Sequence, residues 1–182
     1  MGRRTAVRLF FALNFSPGVT EAIQQVQQTL RAYAPHALYP EPENLHLTLA
    51  FLGEVSPDQA EKARTALKNL HPVPLTLQFS HLGKFHQRGK ELWWLGADPC
   101  PQLSQLHESL AAQLNQFGFS LDSKPFKPHV TLARKVEFSG TVPQRNQLLP
   151  EPISARCGTV SLMRSQLTPK GAVYTQLAQK KP

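Results

Sequence analysis

The chain has 182 residues, 41% of them hydrophobic and 18% charged, which suits one globular domain, or two small lobes sharing a core, and is too apolar for a disordered tail. No run of about 18 apolar residues exists, so a membrane-spanning helix is excluded, and the basic residues Arg3 and Arg4 precede a strand-like segment rather than the apolar core of a secretory signal. Twenty Lys and Arg against 12 Asp and Glu give a formal net charge of +8, dispersed rather than gathered in a tail, which fits a phosphate-binding cleft and an anionic partner.

Residues 7–15 are apolar and aromatic and predict a buried strand. Ser16 and Pro17 read as an N-cap and first helical position, and Val19, Ile23, Val26, Leu30 and Tyr33 give that helix one apolar face. The proline-rich segment 35–44 is a loop, and residues 45–53 form the next strand. Ser56 and Gln59 offer a capping box to a helix that faces inward with Ala60, Ala63, Leu67 and Leu70. Strands are predicted over 75–79 and 91–97, with a hairpin turn at Gln87, Arg88, Gly89 and Lys90. A third helix follows Pro101, with Leu103, Leu106, Leu110, Leu114 and Phe117 on one face. Residues 122–128 are a loop, 129–133 a strand and 141–152 irregular. Residues 158–167 and 172–177 read as a closing hairpin that turns at Pro169, Lys170 and Gly171. Cys100 and Cys157 are the only cysteines, which makes neither a disulfide framework nor a zinc site and fits a cytoplasmic chain.

A strand–helix–loop–strand unit occurs twice. One copy runs from Phe11 to His46 and the other from Trp94 to His129, and each interval is 35 residues. Each copy ends in a His-X-Thr element: His46, Leu47, Thr48 and His129, Val130, Thr131. A duplicated unit packed about a pseudo-twofold axis brings both elements to one central cleft. Strand alternation puts His46 and Thr48 on one face and Leu47, Leu49 and Phe51 on the other, with the same division around His129 and Thr131.

Two imidazoles facing one site suit phosphoryl transfer. Histidine titrates near pH 6.5, so one ring can accept a proton from the attacking oxygen while the other donates to the leaving oxygen. The threonine hydroxyls can donate to non-bridging phosphate oxygens. These roles need no metal, and no cluster with metal-ligand spacing is present. The residues alone do not say which histidine is acid and which is base.

At these residues the chain resembles the two-histidine (2H) phosphoesterases. His46, Leu47, Thr48, Leu49, Ala50, Phe51, Leu52, Gly53, Glu54 and the stretch Pro125, Phe126, Lys127, Pro128, His129, Val130, Thr131, Leu132, Ala133, Arg134 look like their paired signatures. Within them it is similar to the bacterial and archaeal RNA 2′,3′-cyclic phosphodiesterases, historically called 2′-5′ RNA ligases. The resemblance implies an α/β (α+β) fold, bilobal and duplicated, with two antiparallel sheets around a central cleft and helices packed outside. It implies a single domain over residues 1–182, made of two interleaved lobes. It also implies hydrolysis of a terminal RNA 2′,3′-cyclic phosphate to a 2′-phosphate, with no cofactor and no metal. By the family pattern His46 is the proton donor to the departing 3′ oxygen, His129 is the base that activates water, and Thr48 and Thr131 hold the phosphate. A 5′-hydroxyl in place of water makes the same displacement a 2′-5′ ligation.

Further substrate-binding candidates are Arg134, Phe126 and Tyr39. Simple alternation turns Arg134 away from Thr131, and a bend near Ala133 would return it to the phosphate. Phe126 could stack on a base, and Tyr39 could meet the ribose or base, from the loops before the two histidines. Lys84, Arg88 and Lys90 form a basic turn that could touch an RNA backbone. His36, His71, His81, His86 and His107 lack a repeated partner and read as structural or solvent-facing. The expected partner is RNA with a cyclic phosphate end, with no membrane, and a monomer is the default. Two alternatives are an esterase for small cyclic nucleotides and a non-catalytic module that binds RNA ends.

Overall fold

The computed structural model describes residues 6–169 and 171–182. Arg3, Arg4 and the Lys170 of the expected turn lie outside the described residues. The elements in chain order are β1 (Val7–Asn14), α1 (Pro17–Tyr33), a 3-10 turn at Pro42–Asn44, β2 (His46–Val55), α2 (Pro57–Asn69), β3 (Leu75–Gln87), β4 (Lys90–Ala97), α3 (Pro101–Gln116), β5 (His129–Val136), α4 (Arg145–Leu148), β6 (Ile153–Cys157), β7 (Val160–Thr168) and β8 (Gly171–Lys180).

The strands form one curled antiparallel sheet in the order β6-β3-β4-β5-β2-β1-β7-β8, with helices outside. From its centre the order runs β2, β1, β7, β8 on one side and β5, β4, β3, β6 on the other. The duplicated strands β2 and β5 are central neighbours, as the repeat requires. They meet at a single registered pair, Leu47 and Val130. The two expected sheets are therefore two four-stranded halves of one continuous sheet.

The apolar stripes of α1 and α3 explain the outer layer. Val19, Ile23, Val26 and Leu30 of α1, and Leu103, Leu106, Leu110 and Leu114 of α3, are buried against the sheet in one core cluster with Leu9, Phe11, Leu13, Leu47, Leu49, Val130 and Leu132. Each such side chain contributes about 1.5–3 kcal/mol relative to exposure. Phe10, Ala12 and Met163 form a separate small cluster with Tyr174. It lies on the inner face.

The capping box of α2 forms in both directions, Ser56 Oγ accepting from Gln59 N at 3.2 Å and Gln59 Oε1 from Ser56 N at 3.0 Å. Ser16 precedes α1 but its side chain makes no capping bond. Arg88 and Gly89 both have positive φ, 50° and 77°, which closes the β3–β4 hairpin as a tight two-residue turn. The structure goes furthest beyond the sequence reading at three elements. β3 continues past Phe79 to Gln87, with a register shift between Phe79 and His81 that interrupts its alternation. The segment expected to be irregular contains α4, and the unforeseen β6 pairs with β3. β6 is short, with only Ala155 buried, and carries almost no apolar pattern.

Candidate active site

Both histidines begin their strands, and each is held by the loop it has just left. His46 Nδ1–H donates to the Asn44 carbonyl at 2.7 Å, and His129 Nδ1–H donates to the Lys127 carbonyl at 2.6 Å. A carbonyl only accepts, so the proton sits on Nδ1 and the neutral ring keeps its lone pair on Nε2. Thr48 Oγ1 lies 3.1 Å from His46 Nε2. The antiparallel Leu47–Val130 pair makes His46 and Thr131, and likewise Thr48 and His129, the next facing positions across the centre of the sheet. No further β2–β5 pair forms, so the strands part on either side of this point.

Register corrects the repeat by one residue. Thr48 pairs with Ala12 of β1, and Thr131 with Trp94 of β4. Trp94 is thus the counterpart of Ala12, not of Phe11 as equal counting suggests. A one-residue slip exchanges faces: Phe11 is fully buried in the main core, whereas Trp94 lies on the inner face beside His129.

A bulge after each threonine re-aims the rest of its strand. Thr48 faces Ala12 while Ala50 faces Phe11, so Leu49 is an extra residue on β2. Thr131 faces Trp94 while Ala133 faces Trp93, so Leu132 is the extra residue on β5. Leu49 with Ala50, and Leu132 with Ala133, are consecutive buried pairs. After each bulge the alternation changes phase. Phe51, expected to face the core, instead pairs with Phe10 on the inner face and is 47% exposed. Arg134 is exposed, and its charge acts on both histidines. Its main chain is pinned by two 2.8 Å hydrogen bonds with Leu38.

Each imidazole has an aromatic collar. Ring centroids of Phe10 and Tyr174 lie 4.9 and 5.2 Å from that of His46. Those of Phe85 and Trp94 lie 5.4 and 5.7 Å from that of His129. Burial pushes the His46 pKa down to about 4, against an upward pull from its bond to Asn44 and with the help of the Arg134 and His129 charges. Burial also lowers His129, again opposed by its backbone bond and helped by Arg134 and Lys127. Both rings are therefore neutral in the free protein near pH 7.

Other candidates make contacts of their own. Tyr39 donates to the Ala34 carbonyl at 2.9 Å and lies under the Arg31 guanidinium, fastening its loop to the end of α1 rather than reaching toward His46. Phe126 stacks flat on His107 of α3, centroids 3.9 Å apart, and packs against the core instead of toward His129. Both sit in loops tethered to the outer helices, which the sequence distance to the histidines does not register. Lys84 pairs with Glu91 and Lys90 with Glu137, so two cations of the basic turn are already partnered. His81 lies on the inner face, 5.9 Å from Trp94 and 3.6 Å from the Asp98 carboxylate. Phe85, Lys127 and Tyr174 beside the imidazoles, and Phe51 on the same inner face, are residues that sequence reasoning missed; the bulge that turns Phe51 inward shows only in the pairing of β2 with β1. A cavity of about 730 Å³ between α1 and residues 147–156 is lined by neither histidine. Among the described residues, no three or more His, Cys, Asp or Glu side chains gather as a metal cage, and no helix is long and apolar enough to cross a membrane.

Known proteins resemble this chain over most of its length. The RNA 2′,3′-cyclic phosphodiesterase of Methanothermobacter thermautotrophicus is 30% identical, covering 94% of this chain and 96% of the relative. That of Escherichia coli is 37% identical over 75% of this chain and 76% of its own length. The crystal structure of Escherichia coli LigT with 3′-AMP superposes with a TM-score of 0.78 at 28% identity, covering 96% of this chain and 97% of that one. The model of the 2′-5′ RNA ligase superfamily matches residues 15–169, and the chain belongs to that superfamily.

Proposed function

We propose that the protein hydrolyses the 2′,3′-cyclic phosphate at an RNA end to a 2′-phosphate, by acid–base catalysis between His46 and His129 and without a metal. The observation that carries this reading is the pair of inward-facing imidazoles, each with Nδ1 tied to a carbonyl so that the neutral ring carries its lone pair on Nε2. His129 Nε2 takes the proton of the attacking water, the water oxygen bonds to phosphorus, the P–O3′ bond breaks, and His46 Nε2 protonates O3′. Thr48 and Thr131 donate to non-bridging oxygens, and Arg134 opposes the phosphate charge. The catalytic unit on this reading is one domain built from two interleaved lobes.

The lowered histidine pKa values fit a substrate-triggered acid. In the free cleft, burial and the Arg134 charge hold both rings neutral. A cyclic phosphate monoanion adds a negative charge between them, and an opposite charge raises a histidine pKa. The substrate thus recruits the proton that His46 later delivers.

The test is an RNA oligonucleotide with a 2′,3′-cyclic phosphate end, incubated in excess EDTA. The expected product is a 2′-phosphate end, lost on His46→Ala or His129→Ala. No turnover, a 3′-phosphate product, or activity surviving the double substitution would overturn the mechanism. Turnover of cyclic mononucleotides alone would instead favour a small-nucleotide esterase, and tight binding without turnover an RNA-end-binding module.

A further inference from the structure

The two histidine collars differ, and the difference has a chemical sense if His129 is the base of the reaction proposed above, on which this inference rests. In an in-line displacement the attacking and leaving oxygens lie on opposite sides of phosphorus. With His46 protonating O3′, the terminal ribose lies toward His46, and whatever supplies the nucleophile lies toward His129. Water needs no binding surface there, yet one is present. Phe85 and Trp94 both meet the His129 ring, at 5.4 and 5.7 Å. They also meet each other, centroids 5.3 Å apart with a 35° tilt. The exposed Lys127 carries its ammonium over both, 5.6 Å from the Phe85 centroid and 5.4 Å from that of Trp94. Trp94 is only 6% exposed, its ring lying close to Gly83 of β3, so it forms the back wall and Phe85 the accessible face. The His129 bond to Lys127 is solvent-exposed, whereas the His46 bond to Asn44 is partly buried, so the His129 side is the open one.

We propose that Phe85, Trp94 and Lys127 form a subsite for the 5′-terminal nucleoside of a second RNA, whose 5′-hydroxyl replaces water as the nucleophile. The base stacks on Phe85, Trp94 backs that ring and holds it beside His129, and Lys127 meets the phosphate on the 3′ side of the nucleoside. His129 removes the 5′-hydroxyl proton, O5′ bonds to phosphorus, the P–O3′ bond breaks and His46 protonates O3′. The product is a 2′-5′ phosphodiester with a free 3′-hydroxyl. The cyclic phosphate provides the driving force, so no other reactant is consumed.

The experiment reads a ratio within one reaction. A donor oligonucleotide ending in a 2′,3′-cyclic phosphate is mixed with a 5′-hydroxyl dinucleotide or with glycerol, and the joined product is divided by the 2′-phosphate product. The ratio is expected to saturate with dinucleotide, to exceed that for glycerol at least tenfold at equal concentration, and to fall at least fivefold in Phe85→Ala but not in Phe85→Tyr. Lys127→Ala is expected to remove the advantage of the dinucleotide over a nucleoside. A ratio that rises linearly and equals that for glycerol overturns the subsite using the wild type alone, as does a ratio that Phe85→Ala leaves intact. Hydrolysis continuing in those cases leaves the proposed function standing. Absence of any cyclic-phosphate turnover removes both.

Discussion

Phe51 and Arg134 occupy the same place in the two halves of the sheet. Each follows its threonine by three residues, each is delivered to the inner face by a bulge at the preceding leucine, and neither lies where simple alternation puts it. The duplication thus supplies an equivalent backbone position twice and fills it once with an aromatic ring and once with a cation.

Arg134 is the fixed cation whose charge reaches both imidazoles. Arg134→Ala is expected to lower kcat/KM by about 10²-fold, the size of a charge-assisted contact to phosphate of roughly 2–3 kcal/mol. Removing a positive charge also raises both histidine pKa values. NMR titration of the two imidazoles would detect that upward movement, and unmoved titrations would place Arg134 outside the site's field.

Phe51 is exposed beneath the Arg8 guanidinium, 4.8 Å from its ring centroid, on the His46 side where the terminal nucleoside is proposed to lie. Phe51→Ala is expected to raise KM for cyclic-phosphate RNA about tenfold, and Phe51→Tyr to leave it near the wild type, as for a ring that stacks on a base. Equal loss in both variants would point to packing instead.

The duplicated motif was legible because catalysis and strand periodicity leave a joint mark: two His-X-Thr elements, each preceded by a proline-bearing loop. The helices were legible from the leucine spacing of α3 and the Ser56–Gln59 box. The bulges were not, because Leu49 and Leu132 look like ordinary strand residues and their extra position exists only relative to a partner strand. Trp94 was displaced for the same reason, since counting along the chain cannot see which residue its neighbour pairs with. The contacts of Tyr39 and Phe126 were hidden for a different reason. Nearness in sequence to a histidine says nothing about the face on which a loop side chain closes, and both close against helices.

Two glycines make opposite predictions. A Cβ at Gly83 would run into the six-membered ring of Trp94, whereas one at Gly18 in α1 meets nothing within 4 Å. Gly83→Ala is expected to cost about 1–3 kcal/mol through overpacking and, by displacing Trp94 from beside His129, to lower kcat as well. Gly18→Ala is expected to gain up to about 1 kcal/mol from helix propensity with unchanged activity. Thermal melts of the two variants, read with their activities, check both directions, and equal melting points would contradict the close approach of Trp94 to the β3 backbone.

Acidification is expected to weaken the fold and to shift catalysis. The pKa of His46 is about 4 in the fold against about 6.5 when unfolded, so between those values the unfolded chain binds the extra proton. That contribution is fully present above about pH 6.5 and is lost as pH falls toward 4, at no more than about 1.4 kcal/mol per pH unit. Denaturant melts at pH 7 and 4.5 should therefore show a larger loss in the wild type than in His46→Gln, which has nothing to titrate. The reactive form has one imidazole protonated and one neutral. Because burial lowers both in the free protein, the maximum of kcat/KM is expected below pH 6.5. The anionic substrate raises the histidine pKa values, so the maximum of kcat should lie at higher pH than that of kcat/KM. Coincident maxima would remove the substrate-triggered acid, and a flat kcat/KM between pH 4 and 8 would remove the histidine pair from the rate-limiting chemistry.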